Sequence, residues 1–172
     1  YDNPNSSYVT DVQYGSLQVC REYGYNLLIH PCHADSPDLI REIIGLQHQV
    51  DGLIVLQPLS DHNDLNQALL DHNIPCVRVS QRPFALFPWI SVGDREAADQ
   101  MTEYLLDLGH KRIGFIVGHP DHGSGHDRLA GYKNALERHN IPYGTSLVEQ
   151  GRFDFESGYS CAQRLLGLTP RP

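Results

Sequence analysis

One pattern constrains this chain more than any other: short apolar runs alternate with helical segments at a spacing of roughly 25 residues. The runs are residues 26–30 (NLLIH), 52–56 (GLIVL) and 75–79 (PCVRV). Such a spacing holds one strand, one helix and two short loops, the crossover that two parallel strands require. Near-continuous apolar character suits strands covered on both faces. The pattern predicts an α/β fold with doubly wound parallel sheets.

Helix signals punctuate the intervals. Ser36, Pro37 and Asp38 supply an N-cap, a first-turn proline and a first-turn acid, followed by Leu39, Ile40, Ile43 and Ile44 on one face. Ser60 and Asp61 open the next predicted helix, with Leu65, Ala68 and Leu69 inward. Gly24 and Gly109 each follow a helical stretch, where a left-handed residue ends the helix. Residues 81–88, with two prolines and no periodicity, read as a surface connection. A short strand at 89–92 follows, then a helix from Asp94 to Leu108 that turns Ala98, Met101, Leu105 and Leu108 toward a core. Strands at 112–117 and 146–149 alternate with helices at 127–139 and 154–168. A change of lobe is expected near Gly93, giving an N-terminal lobe over 1–93 and a partial C-terminal lobe over 94–172.

Charge narrows the function classes. Thirteen Lys and Arg stand against twenty-one Asp and Glu, a net charge of -8, which argues against these residues gripping a phosphate backbone. No apolar run approaches the roughly 18 residues of a membrane span. The four cysteines include no C-x-x-C pair, and Cys32 and Cys76 sit in apolar runs, so they read as reduced structural thiols of a cytoplasmic protein. The chain opens without a methionine and stops just after a helical pattern, so both ends look cut.

Reactive chemistry finds little support. Residues 118–124 (GHPDHGS) follow a strand and precede a helix, yet lack the lysine of a phosphate loop, and Ser124 lies in no G-x-S-x-G elbow. No catalytic residue and no cofactor is assigned. His119, His122 and His126 cluster with Asp121 and Asp127, but they read as solvent- or ligand-facing groups rather than a metal site. Asp94 has two readings of equal weight, a helix N-cap or a residue facing a ligand cleft beyond the strand ends. Phe153 is expected to leave its strand pointing into a cleft, with Asp154 capping the last helix. Phe155 is expected on that helix's buried face beside Tyr159 and Ala162.

Five segments stand in order: residues 50–54 (VDGLI), 74–77 (IPCV), 106–116 (LDLGHKRIGFI), 128–136 (RLAGYKNAL) and 151–159 (GRFDFESGY). Together they closely resemble the effector-binding core of the lactose-repressor/galactose-repressor family of bacterial transcription regulators, across essentially the whole chain. The resemblance implies a periplasmic-binding-protein-like fold of two lobes, the second incomplete, clamping a small effector between them. It implies a preceding helix-turn-helix that reaches operator DNA, further strands and helices after Pro172, a homodimer, and no bond-breaking chemistry.

Site residues carry over from the resemblance by position. Arg128 matches an arginine that forks onto ligand hydroxyls, and Phe153 an aromatic that stacks on the ligand ring. His122 and Ser124 fall on the ligand-contacting loop, and Asp94 where many relatives place a cleft aspartate. Asp2, Asn5, Tyr8 and Val9 fall on the first loop, which lines the opposite wall. Gln81 stands where relatives often carry an aspartate, so the usual acceptor from that wall is missing. A sugar effector is favoured, with Tyr8, Trp89 and Phe153 as ring-stacking candidates, although Trp89 equally suits a core. The rival is a periplasmic sugar-binding protein of a transport system, which would carry a signal peptide in place of the DNA-binding segment.

Overall fold

The computed structural model describes residues 7–79 and 86–172. The chain divides into two compact units, Tyr1–Arg78 and Val79–Pro172, so the expected change of lobe near Gly93 falls inside the second unit.

The first unit runs α1 (Ser7–Tyr23), α2 (Leu39–Gly45), β1 (Leu53–Val55), α3 (Asn63–Asp71) and β2 (Cys76–Val79), the last residue of β2 belonging to the second unit. β1 and β2 pair in parallel, with Leu53 opposite Cys76 and Val55 opposite Arg78, as the apolar runs predict. Leu39 and Ile43 of α2 and Leu65 and Leu69 of α3 are buried, matching the expected faces. Gly24 ends α1 with φ +76, the left-handed geometry foreseen there.

Three local expectations change. Residues 26–30 form no strand; Leu28 and Ile29 are half exposed, and the run has no ladder partner among the described residues. A strand exists only through pairing, and this run instead forms part of the wall of a cavity of about 870 Å³ that α1 and β1 also line. The cap of α3 is His62 rather than Ser60, its Nδ1 accepting from the Leu65 N–H at 3.2 Å. Ser60 lies one turn earlier, fully buried, and its carbonyl accepts from Arg78 Nε at 2.8 Å and Asn66 Nδ2 at 3.1 Å. Ser36 does not cap α2 directly; its Oγ accepts from the Asp38 N–H at 3.3 Å, and the helix starts at Leu39.

The second unit contains β3 (Trp89–Ile90), α4 (Asp94–Asp107), β4 (Phe115–Val117), α5 (Gly123–Arg138), β5 (Val148–Gln150) and α6 (Phe155–Leu166). β4 and β5 pair in parallel, Phe115 opposite Val148 and Val117 opposite Gln150. Leu106, Tyr132, Ala135 and Leu136 form the core, with Ile113, Phe115, Leu129, Ile141 and Val148 packed around them. Full burial of a side chain such as Leu106 or Leu136 contributes about 1.5–3 kcal/mol before entropy is counted.

The 128–136 segment shows why its residues go together. Arg128 leaves toward the strand ends, Gly131 lets α5 touch α4, and Tyr132 fills the core. A Cβ on Gly131 would lie 2.1 Å from the Arg95 carbonyl oxygen, backbone that cannot move aside. Tyr132 is 1% exposed, its ring 4.9 Å from that of Phe115, and its hydroxyl donates to the Ile113 carbonyl at 2.9 Å. The inner face of α4 differs from the expected one. Met101 and Leu108, expected inward, are each 60% exposed, whereas Thr102 and Leu106 are buried. Thr102 tolerates burial because its hydroxyl donates to the Ala98 carbonyl at 2.7 Å, which hides it from a hydropathy pattern.

A candidate effector site at the ends of β4 and β5

Ligands in open α/β sheets sit beyond the carboxyl ends of the strands. In the second unit β4 and β5 end at Val117 and Gln150, and the segments that leave them carry His122, Ser124, Arg128 and Phe153.

Asp94 is not an N-cap. Gly93 occupies that position in the left-handed conformation, φ +70, and Asp94 is the first residue of α4. Its carboxylate is buried, 5% exposed, and Oδ1 accepts from Arg128 Nε at 2.6 Å. The N-cap reading of Asp94 is thereby replaced by a buried pair with Arg128. The Arg128 side chain remains 45% exposed. A guanidinium carries five donors, and with Nε held by Asp94 its Nη groups have no acceptor among the described residues. The buried carboxylate therefore orients a half-exposed fork whose outer edge faces away from the pair.

Phe153 lies against that fork, the Arg128 Cζ 5.6 Å from its ring centroid. The His122 ring meets Phe153 edge-on at 5.5 Å, and His119 stands 5.3 Å behind His122. Phe153 has φ +62, a region that residues with side chains seldom occupy, so its direction is set by the surrounding turn. That turn is tied down by the cap of α6. Asp154 accepts from the Ser157 N–H at 2.7 Å, as the sequence predicts for a cap, and the Arg152 N–H donates to Ser157 Oγ at 2.9 Å. The same backbone bond holds the Asp154 carboxyl below the usual aspartate range.

Ser124 is buried in the first turn of α5, because that helix begins at Gly123, ahead of the predicted start at 127. His126 accordingly leaves the loop, and its Nε2 lies 2.8 Å from the Pro120 carbonyl. Asp127 turns to Arg95 at 2.8 Å. The histidine run is thus split between directions, and among the described residues no three His, Cys, Asp or Glu are grouped to hold a metal ion.

The remaining expected residues belong to the first unit. Tyr8 and Val9 lie in the first turn of α1 rather than on a loop, since the helix starts at Ser7; Val9 is buried and Tyr8 half exposed. Asp2, Asn5 and Gln81 lie outside the described residues. Phe155 contradicts its expectation: it is 83% exposed and stacks on Tyr159 at 6.0 Å, while Cys161 and Leu165 form the buried face of α6. An exposed aromatic pair one turn apart has the same spacing as a core pair, so periodicity could not distinguish them. Sequence reasoning also missed Gln150, whose Nε2 donates to the carbonyls of Gly118 and, at 2.9 Å, of Gly151. Its place directly after the strand expected at 146–149 was the available signal.

Comparison with known proteins now places the chain. The family described as periplasmic binding proteins and sugar binding domain of LacI family matches residues 1–171, and the chain belongs to it. The ribose operon repressor of Haemophilus influenzae is 31% identical over 171 residues, 98% of this chain and 51% of that protein. Among solved structures, the transcription regulator CcpA of Lactococcus lactis superposes with a TM-score of 0.80 at 27% identity, covering 95% of this chain and 61% of its own. A transcriptional regulator CelR–cellobiose complex gives a TM-score of 0.75 at 29% identity, covering 91% and 48%. The chain spans about half the length of the curated relatives it matches. The periplasmic-binding-protein-like α/β fold with parallel sheets is thereby established, and these relatives are regulators rather than enzymes or transport proteins. Among the described residues no helix is long and apolar enough to cross a membrane.

Proposed function

We propose that this chain is the effector-sensing part of a DNA-binding transcription regulator, and that a sugar or sugar-like polyol binds at the ends of β4 and β5. The observation that carries the reading is the Arg128 fork, oriented by buried Asp94 and set beside the Phe153 ring. Free guanidinium donors suit hydroxyl oxygens, and an aromatic face suits the C–H face of a sugar ring. His122 and Ser124 add polar contacts from the adjoining helix start. The site is read as binding without reaction, in keeping with relatives that are repressors and regulators.

In the full-length protein, effector binding shifts the balance between two conformations, and a helix-turn-helix segment of a cytoplasmic homodimer converts that shift into operator affinity. The names of the relatives support this over the transport reading, since they are repressors and regulators. The test is fluorescence anisotropy of the full-length protein on DNA flanking its own gene, with and without D-ribose or cellobiose. The reading requires specific, salt-sensitive binding that one of the sugars changes. Absence of any specific DNA binding would instead favour a periplasmic binding protein.

A further inference from the structure

We propose that Gly118 is a positioning residue for the effector site: the space its missing side chain leaves is the seat of the Phe153 ring. The proposal rests on the effector reading above. Gly118 is the first residue beyond β4. A Cβ built there would lie 1.8 Å from Phe153 Cζ, 2.2 Å from Cε1 and 2.4 Å from Cε2. The outer end of a rigid ring, not the tip of a flexible chain, occupies that position.

Neither partner of this contact is free to yield. Phe153 holds φ +62, and the residues on both sides of it are tied through Ser157, by the Arg152 N–H at 2.9 Å and to Asp154 Oδ1 at 2.7 Å. Gly118 is held from its other side, its carbonyl accepting from Gln150 Nε2. Gln150 also donates to the Gly151 carbonyl at 2.9 Å, joining the exits of β4 and β5 around the ring. A side chain at 118 must therefore displace the ring rather than the backbone. The displaced ring loses its edge contact with His122 and its place beside Arg128, which are the contacts that present it to a ligand. Glycine at 118 and the left-handed Phe153 form a matched pair, and the pair fixes how an aromatic face is offered next to the guanidinium.

The prediction is a specific non-additivity. In the full-length protein, Gly118→Ala and Phe153→Ala should each weaken binding of the better of D-ribose and cellobiose by about two- to tenfold, the range for one aromatic contact. The double variant should bind no more weakly than Phe153→Ala alone, because the ring atoms that the added methyl would strike are then gone. Removing the clash also keeps the double variant folded if Gly118→Ala alone proves unstable. A ligand-free readout accompanies the titration: the Gly118 α-proton resonances should carry a ring-current shift that Phe153→Leu abolishes. Additive losses, or α-proton shifts indifferent to Phe153→Leu, overturn the role of Gly118. If neither sugar binds the wild type while the ring-current shift is present, the sugar-effector reading fails and the positioning role falls with it.

Discussion

Removing the Arg128 side chain should cost stability as well as ligand contact, which its half-exposed position alone would not suggest. The Asp94 carboxylate is 5% exposed and receives the Arg128 Nε donor at 2.6 Å. Without that donor a desolvated charge loses its Arg128 partner. Hydrogen bonds to charged groups contribute about 1.5–3 kcal/mol. Breaking a fully buried pair costs about 3–5 kcal/mol, but water can enter the space left by an arginine that is 45% exposed, so the lower range applies. Arg128→Ala should therefore destabilise by about 1.5–3 kcal/mol. In an Asp94→Asn background the same change should cost less than about 1 kcal/mol, since a neutral amide tolerates the loss. Urea unfolding followed by far-ultraviolet circular dichroism measures the cycle, with the midpoint shifting at constant slope. Equal costs of Arg128→Ala in both backgrounds would refute the claim that the arginine neutralises Asp94.

Three further outcomes follow from particular contacts. Phe155→Ala should change stability by no more than about 0.5 kcal/mol, because the ring is 83% exposed; a multi-kilocalorie loss in urea titration would place it in a core. Burial pushes the Tyr132 hydroxyl up, with Tyr143 adding to the effect, so the folded state holds that proton more tightly than the unfolded chain does. Its contribution is complete below the ordinary tyrosine value of about 10 and disappears as pH rises through the raised folded value; Tyr132→Phe should remove that component of alkaline destabilisation, and an unchanged alkaline profile would refute it. Residues 1–172 alone, with a net charge of -8, should show no salt-dependent operator binding in a mobility-shift assay; binding that weakens steeply with salt would contradict the division of labour proposed above.

The fold was legible where side chains repeat and obscure where backbone geometry decides. β1, β2 and the capped α6 follow from apolar runs and from Asp154, because pairing and capping are local demands. Residues 26–30 have the same apolar signature as β1, yet a strand also needs a neighbour, which no single run encodes. The face of α4 was misjudged because Thr102 satisfies its hydroxyl within the helix and passes for a polar surface residue. At the site, family resemblance points to Asp94, His122, Arg128 and Phe153, and the structure adds how they meet. The two residues that shape the meeting, Gly118 and Gln150, carry no chemistry of their own. Their importance lies in a close approach and in two backbone carbonyls, which a sequence does not display.

Whether the Arg128 fork holds a sugar is the decisive question. Isothermal titration calorimetry of the full-length protein with D-ribose and cellobiose, repeated on Arg128→Ala, tests this most directly. The arginine's charge-assisted bonds to hydroxyls predict a loss of about ten- to a hundredfold in affinity for the sugar that binds. Unchanged affinity in the variant, with the wild type saturating normally, would place the effector elsewhere and contradict the account.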